Sequence, residues 1–165
     1  MGEERLFKYV LQLIVGLFTL VVSTFIAWFE GSAITSNSLE WKYSTPFTKL
    51  FNTEIKTGHE ISQLDYFVYA AKFQPLFPAI MMISAFYIIS VVGNYLIKYN
   101  AKCASVFWGL IGFMMLLISG FIFNSATIGG KTFFWITMLI GLIGIAVAIF
   151  VWIRNFKYKA SVDLN

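Results

Sequence analysis

Hydrophobic and polar positions along this chain alternate between four long apolar stretches and the polar segments that separate them. The stretches cover residues 9–29, 76–97, 103–123 and 133–153, and none of them contains Asp, Glu, Lys, Arg or His. About 20 apolar residues in a helix cross the roughly 30 Å hydrocarbon core of a bilayer. The pattern therefore predicts an all-α integral membrane protein with four transmembrane helices, and residues 1–165 as a single four-span membrane domain.

The composition supports a membrane protein and excludes two other classes. Hydrophobic residues make up 59% of the chain and charged residues 12%, against roughly 45–50% and about 25% in ordinary globular proteins. A domain of this size has too little interior to bury so much apolar surface in water. The composition therefore excludes a soluble enzyme and a disordered chain.

The first apolar run is longer than the apolar core of a signal peptide, which is about 7–15 residues. We therefore expect this run to be retained as a transmembrane helix and not to be cleaved as a signal peptide.

The distribution of Lys and Arg predicts the orientation, because cytoplasmic flanks of membrane helices are enriched in these residues. The flanks on the N-terminal side of the membrane carry seven of them in short stretches: Arg5, Lys8, Lys98, Lys102, Arg154, Lys157 and Lys159. The opposite side carries five over a much greater length: Lys42, Lys49, Lys56, Lys72 and Lys131. We therefore expect a multi-pass plasma-membrane protein with both termini in the cytoplasm and one long extracytoplasmic loop, residues 30–72.

The apolar spans contain no ionisable side chain, and such side chains normally mark proton and ion pathways. Their few Ser, Thr, Asn and Gln residues are interpreted as interhelical contacts. Small residues recur four apart, as in Ser105 and Gly109 or Gly144 and Ala148. This spacing favours close helix packing within the chain, and packing in a homo-oligomer is the alternative.

The loop is rich in aromatic residues, which predicts a folded segment. Thr45 followed by Pro46 is typical of a helix start. The helix would carry one apolar stripe at Phe47, Leu50 and Phe51. Ser62 and Asp65 resemble a capping box at the start of a second helix. Two short amphipathic helices are therefore expected to lie in the membrane interface or to cover the ends of the transmembrane helices. A bend is expected near Gln74, ahead of Pro75.

No pattern in the chain indicates catalysis. The lone His59 has no second metal-ligating His or Cys beside it and is expected in a solvated turn. We therefore predict no catalytic residues, no metal site, no cofactor, no nucleic-acid partner and no enzymatic activity. The loop residues that we single out as candidate interaction residues are Glu30, Glu40, Trp41, Tyr43 and Asp65.

Several strings in and near the loop resemble the YjdJ-like family of small, uncharacterised membrane proteins from Bacillus-type bacteria. They include Trp28-Phe29-Glu30-Gly31-Ser32-Ala33, Glu40-Trp41-Lys42-Tyr43-Ser44 and Phe67-Val68-Tyr69-Ala70-Ala71-Lys72-Phe73. The resemblance covers about residues 25–82 and does not extend to the last two spans. It implies a Gram-positive plasma membrane, and it brings no assigned activity.

Two functional hypotheses follow. The first is a non-enzymatic membrane protein that acts through its loop on a protein, lipid or envelope partner. The alternative is a small transporter or lipid flippase with a pathway through the helices. In addition, three cations after the last span, Arg154, Lys157 and Lys159, are candidate contacts for anionic lipid, since an anionic leaflet attracts such residues.

Overall fold

The computed structural model describes residues 2–51 and 55–162, and these residues form helices and turns with no β-strand. The α-helices are α1 (Gly2–Gly31), α2 (Trp41–Ser44), α3 (Pro46–Phe51), α4 (Gln63–Phe73), α5 (Leu76–Tyr99), α6 (Ala101–Ile122) and α7 (Ile128–Val162). Short 3-10 turns occupy Ser32–Ser36, Ser38–Glu40 and Gly58–Glu60. Four helices, α1, α5, α6 and α7, are long and apolar enough to cross a membrane. The predicted all-α class is confirmed, and the described residues contain the predicted number of helices that could span a membrane.

The first and last long helices extend beyond their predicted apolar spans. α1 has 30 residues and α7 has 35. α7 continues without a break through the basic tail, because the sequence from Arg154 to Val162 contains no Gly or Pro to end it. Lys157 and Lys159 are part of this helix, and their side chains lie outside the described residues.

The turns between the helices follow from local sequence signals. Gln74 has φ −131° and ψ 63°, so the chain leaves the helical conformation just before Pro75, which confirms the predicted bend. At the other end of α5, the Asn100 side chain accepts hydrogen bonds from the backbone N–H groups of Lys102 at 3.1 Å and Cys103 at 3.3 Å. Asn100 therefore caps the start of α6.

The chain divides into two compact units. The helix unit comprises the described parts of residues 1–14, 86–124 and 133–165. The loop unit comprises the described parts of residues 15–85 and 125–132.

In the helix unit, α6 and α7 approach closely over small residues. The Ser105 hydroxyl donates to the Ala148 carbonyl at 2.9 Å. A Cβ atom added to Gly112 would lie 2.7 Å from the Ile145 nitrogen, and one added to Gly144 would lie 2.9 Å from the Gly112 Cα. Only glycine allows the two backbones to come so near. The prediction that small residues serve packing within the chain is confirmed for these two helices.

Trp108 fills the space between α5 and α6 in the same unit. Its side chain is buried, and its ring would lie 2.8 Å from a Cβ atom on Gly93. The indole N–H has no hydrogen-bond partner among the described residues. Trp108 therefore contributes through packing, while its buried donor is left unsatisfied.

Candidate functional site

Buried polar side chains lie around the short helices of the loop unit, beside the buried apolar residues Ile34, Ile61 and Ala70. Ser44, Thr45, Thr48 and Asp65 are each at most 2% exposed. A buried polar group is destabilising unless it has hydrogen-bond partners. The loop can therefore fold only if its donors and acceptors satisfy one another.

Asp65, in the first turn of α4, is the central acceptor of this interior. Its carboxylate accepts the backbone N–H of Phe47 at 2.9 Å and that of Thr48 at 2.8 Å. It also accepts the Thr48 hydroxyl. The first N–H groups of a helix have no partner within it and carry a partial positive charge. Asp65 therefore caps α3 from another helix.

This arrangement corrects two predictions about helix starts. Ser62 does cap α4, where its hydroxyl accepts the Leu64 N–H at 3.3 Å. The reciprocal half of the predicted capping box is wrong, because the Asp65 carboxylate binds α3 and the Ser62 N–H donates to the Thr48 hydroxyl at 2.8 Å. Thr45 does not cap α3 either, since its hydroxyl donates back to the Trp41 carbonyl.

Glu40, Ser44 and Lys72 form a second polar group that joins α4 to the chain around α2. Lys72 lies 3.1 Å from the Glu40 carboxylate and donates to the Ser44 hydroxyl at 2.8 Å. Ser44 in turn donates to Glu40 at 2.8 Å. The hydrogen bonds from Ser44 and Lys72 hold the pKa of the Glu40 carboxyl below its ordinary value.

The other candidate interaction residues differ in what they contact. The Trp41 indole N–H donates to the carbonyl of the fully buried Ile34 at 2.8 Å, so Trp41 serves the fold. Glu30 is half-buried near the end of α1, and one of its carboxylate oxygens has no partner among the described residues. Tyr43 is 68% exposed. Of the five candidates, Tyr43 is therefore the most exposed.

Two glycines bring other helices against the backbone of α4 within the loop unit. A Cβ atom on Gly31, at the end of α1, would overlap the Tyr66 carbonyl group. A Cβ atom on Gly129, in the first turn of α7, would overlap the Ala71 carbonyl group. The aromatic rings of Trp28 and Tyr66 lie 6.3 Å apart beside the first of these contacts. α4 is thus held at two points that tolerate no side chain.

The surface of the loop unit around α2 and α3 is apolar where its interior is polar. We call this surface the apolar face, and its most exposed large residues are Leu39, Tyr43, Leu50 and Phe51. The predicted stripe of α3 is therefore directed outward, while Thr48 is the residue of α3 that is buried. Exposed Lys42 and Lys49 lie in the same two helices. The apolar face thus combines large apolar side chains with neighbouring cations.

His59 lies in the Gly58–Glu60 turn and is exposed, as predicted. Nearby, the Glu60 carboxylate accepts the backbone N–H of Lys56 at 2.8 Å, and this bond lowers the pKa of Glu60. Among the described residues, no three His, Cys, Asp or Glu side chains lie together in a way that could hold a metal ion.

The helix unit contains a separate open cavity of about 1030 Å³, which we call the basic cavity. Its cationic lining residues are Lys8, Lys98 and Arg154. Of the three predicted lipid contacts, Arg154 lines this cavity, and the side chains of Lys157 and Lys159 lie outside the described residues. The Lys98 ammonium group donates to the Tyr9 hydroxyl at 2.6 Å, which links α5 to α1.

Sequence reasoning did not single out Ser44, Thr48 and Lys72 as partners of Glu40 and Asp65, or Lys8 and Lys98 as neighbours of Arg154. The lining residues of α7 do follow a helical period, at Val147, Phe150, Val151, Arg154 and Asn155. This period, combined with the predicted membrane side of each cation, is the signal that could have predicted a shared site for Lys8, Lys98 and Arg154.

The structure defines an all-α protein with four helices that could span a membrane and a folded loop between the first two. The profile of a family described as "Domain of unknown function (DUF4306)" matches residues 10–97, and the chain belongs to this family. It is similar to "Uncharacterized protein YjdJ" of Bacillus subtilis (strain 168), with 36% identity over 91 residues that cover 52% of this chain and 82% of the relative. No solved structure matches the chain.

These comparisons confirm the resemblance found in the sequence and enlarge it. The family match covers most of α1, the whole loop and α5 up to Ile97, well beyond residues 25–82. α6 and α7 lie outside the family match. The relative from Bacillus subtilis agrees with a Gram-positive source.

Proposed function

We propose that this protein is a non-enzymatic, multi-pass protein of the plasma membrane that acts through its loop at the outer membrane surface. In this proposal both termini are cytoplasmic and the apolar face rests in the interface of the outer leaflet. Lipid is the first partner of the loop, and a protein or envelope partner would meet a loop already seated on lipid.

The observation that carries the proposal is the reversal of polarity in the loop unit. Ser44, Thr48 and Asp65 are buried, while Leu50 and Phe51 are 76% and 81% exposed. Helices that lie in a membrane interface present large apolar residues to the acyl chains and carry lysines beside them. Lys42 and Lys49 supply such cations next to Tyr43 and Leu50.

The alternative function, a small transporter or lipid flippase, has one feature in its favour, which is the basic cavity. The apolar spans offer no ionisable side chain for a proton-coupled path. We therefore prefer the loop-based function and interpret the cavity as a binding site.

Orientation is tested by thiol labelling in a Cys103→Ser background, which removes the single native cysteine. A membrane-impermeant maleimide added to intact cells should label His59→Cys in the loop. It should label Tyr99→Cys, at the end of α5, only after the membrane is opened. Labelling of Tyr99→Cys in intact cells would overturn the proposed orientation.

Contact with lipid is tested by a spin label at Leu50→Cys and a matched label at His59→Cys, both exposed positions of the loop unit. In vesicles, the label at residue 50 should collide mainly with oxygen, which concentrates in lipid. The label at residue 59 should collide mainly with a water-soluble nickel chelate. Equal exposure of both labels to the nickel chelate would contradict a loop seated on the membrane.

A further inference from the structure

The basic cavity lies in the helix unit and is lined by residues of α1, α5 and α7 with Ala101 at the start of α6. Its volume of about 1030 Å³ is at the upper end of typical ligand sites, about 300–1,000 Å³. We propose that this cavity binds an anionic phospholipid, with the phosphate group held by Lys8, Lys98 and Arg154. This site is distinct from the apolar face and does not depend on the function proposed for the loop.

The charge of the lining favours an anion. Among the described residues, three cations line the cavity and no carboxylate does. Glu4, the carboxylate nearest to them in the sequence of α1, precedes Lys8 by one turn and is not a lining residue. Lysine and arginine donate charge-assisted hydrogen bonds to phosphate oxygens, and arginine can donate two in parallel. Basic pockets between membrane helices are typical sites for lipid headgroups.

The polarity of the lining changes along each helix in the order that a phospholipid requires. Gln12 lies four residues from Lys8 on α1, and Asn94 lies four residues from Lys98 on α5, which is about 6 Å further along each helix. On α7, Val151 and Val147 follow Arg154 at successive turns in the same direction. Cations therefore stand at the ends of the apolar spans, with amides next to them on two helices and apolar side chains on the third.

This order distinguishes a phospholipid from a free phosphate ion. A phosphate ion would use the three cations and leave the apolar wall of Val147, Phe150 and Val151 without a function. In a phospholipid, the amides of Gln12 and Asn94 can bind the glycerol esters, and the apolar wall can contact an acyl chain. The shared chemistry is the phosphate group, and the apolar wall favours the lipid as its source.

The test is a binding titration of the purified full-length protein in neutral detergent, with native mass spectrometry used to count bound phosphatidylglycerol. Each cation near an anionic lipid surface contributes about 1 kcal/mol, so Lys98→Gln and Arg154→Gln should each weaken binding about fivefold. Lys98→Arg should retain binding, because it keeps the charge.

Lys102→Gln is the matched control, since Lys102 is exposed, lies four residues after Lys98 and does not line the cavity. It should change the affinity less than twofold. An equal loss in Lys98→Gln and Lys102→Gln would overturn the site in favour of diffuse charge attraction. Equally tight binding of phosphatidylcholine would overturn the requirement for an anionic headgroup.

A separate titration distinguishes the two sources of phosphate. Inorganic phosphate at millimolar concentration should not displace phosphatidylglycerol from the wild-type protein. Displacement by phosphate would overturn the lipid assignment. If Lys98→Gln does not fold, Lys8→Gln and Arg154→Gln carry the same test, because both residues are exposed and line the same cavity.

Discussion

One oxygen of the Asp65 carboxylate accepts both the backbone N–H and the side-chain hydroxyl of Thr48, with the N–H at 2.8 Å. The two residues are 17 positions apart, and both are buried. Through this pair, the first turn of α4 completes the N-terminus of α3. A six-residue helix is too short to be stable by itself in water, so α3 depends on its contacts with α4.

Replacing Asp65 by Ala should release α3. The N–H groups of Phe47 and Thr48 would lose their acceptor, and leaving buried donors unsatisfied costs about 1–3 kcal/mol each. Hydrogen exchange at these two amides should accelerate by at least about 30-fold, which corresponds to roughly 2 kcal/mol. Gln63→Ala, at an exposed position of the same turn, is the control. Unchanged exchange in Asp65→Ala would contradict the capping role.

Gly31→Ala and Gly129→Ala should each destabilise the protein, because the added methyl group would overlap a backbone carbonyl of α4. Overpacking of this kind costs about 1–3 kcal/mol. Gly120→Ala is the matched control, since no heavy atom of the described chain lies within 4 Å of its added Cβ position. In a helix interior, Ala is favoured over Gly by about 1 kcal/mol. Thermal unfolding in detergent should therefore rank Gly120→Ala at or above the wild type, and the opposite ranking would refute the close contacts.

Acid should weaken the group formed by Glu40, Ser44 and Lys72. The pKa of Glu40 is lowered in the folded loop, so the charged form is favoured and its contribution to stability is complete above the ordinary pKa of 4.5. That contribution is lost as the pH falls from 4.5 through the lowered pKa. Ser44→Ala removes the largest cause of the shift, so the midpoint of Glu40, followed by NMR in micelles, should move upward.

Ser38→Ala, at an exposed serine of the same segment, is the control for this titration and should leave the midpoint unchanged. An unchanged midpoint in Ser44→Ala would show that the hydroxyl does not stabilise the charged carboxylate.

Trp108→Phe should be tolerated far better than Trp108→Ala. The indole N–H is buried without a partner among the described residues, so its loss removes an unsatisfied donor while a large ring remains against Gly93. We expect Trp108→Phe to stay within about 1 kcal/mol of the wild type and Trp108→Ala to lose about 3–5 kcal/mol. Equal losses measured by unfolding in detergent would indicate that the N–H has an essential partner.

The sequence predicted the four long helices because apolar runs without charge have few alternatives to a helix in lipid. It also predicted the bend at Gln74 and the Ser62 cap, which depend on neighbouring residues. The sequence predicted the apolar stripe of α3 and left open whether it lies in the membrane interface or covers the helix ends; it did not show that Leu50 and Phe51 are exposed in the folded loop. The partner of Asp65 could not be read from local pattern, because Thr48 lies in another helix. The basic cavity was not predicted for the same reason, since its cations come from three separate helices.

The polar interior of the loop unit makes its fold depend on the medium around it. Water that reaches Asp65 or Thr48 offers each group an equivalent hydrogen bond, so in water these contacts gain little over the open chain. Where water is scarce, the same bonds strengthen, because nothing else can replace them. Burial of Leu50 and Phe51 by acyl chains would keep water away from the bonds beneath them. The loop would then stay folded when acyl chains cover its apolar face and become less stable when water covers that face.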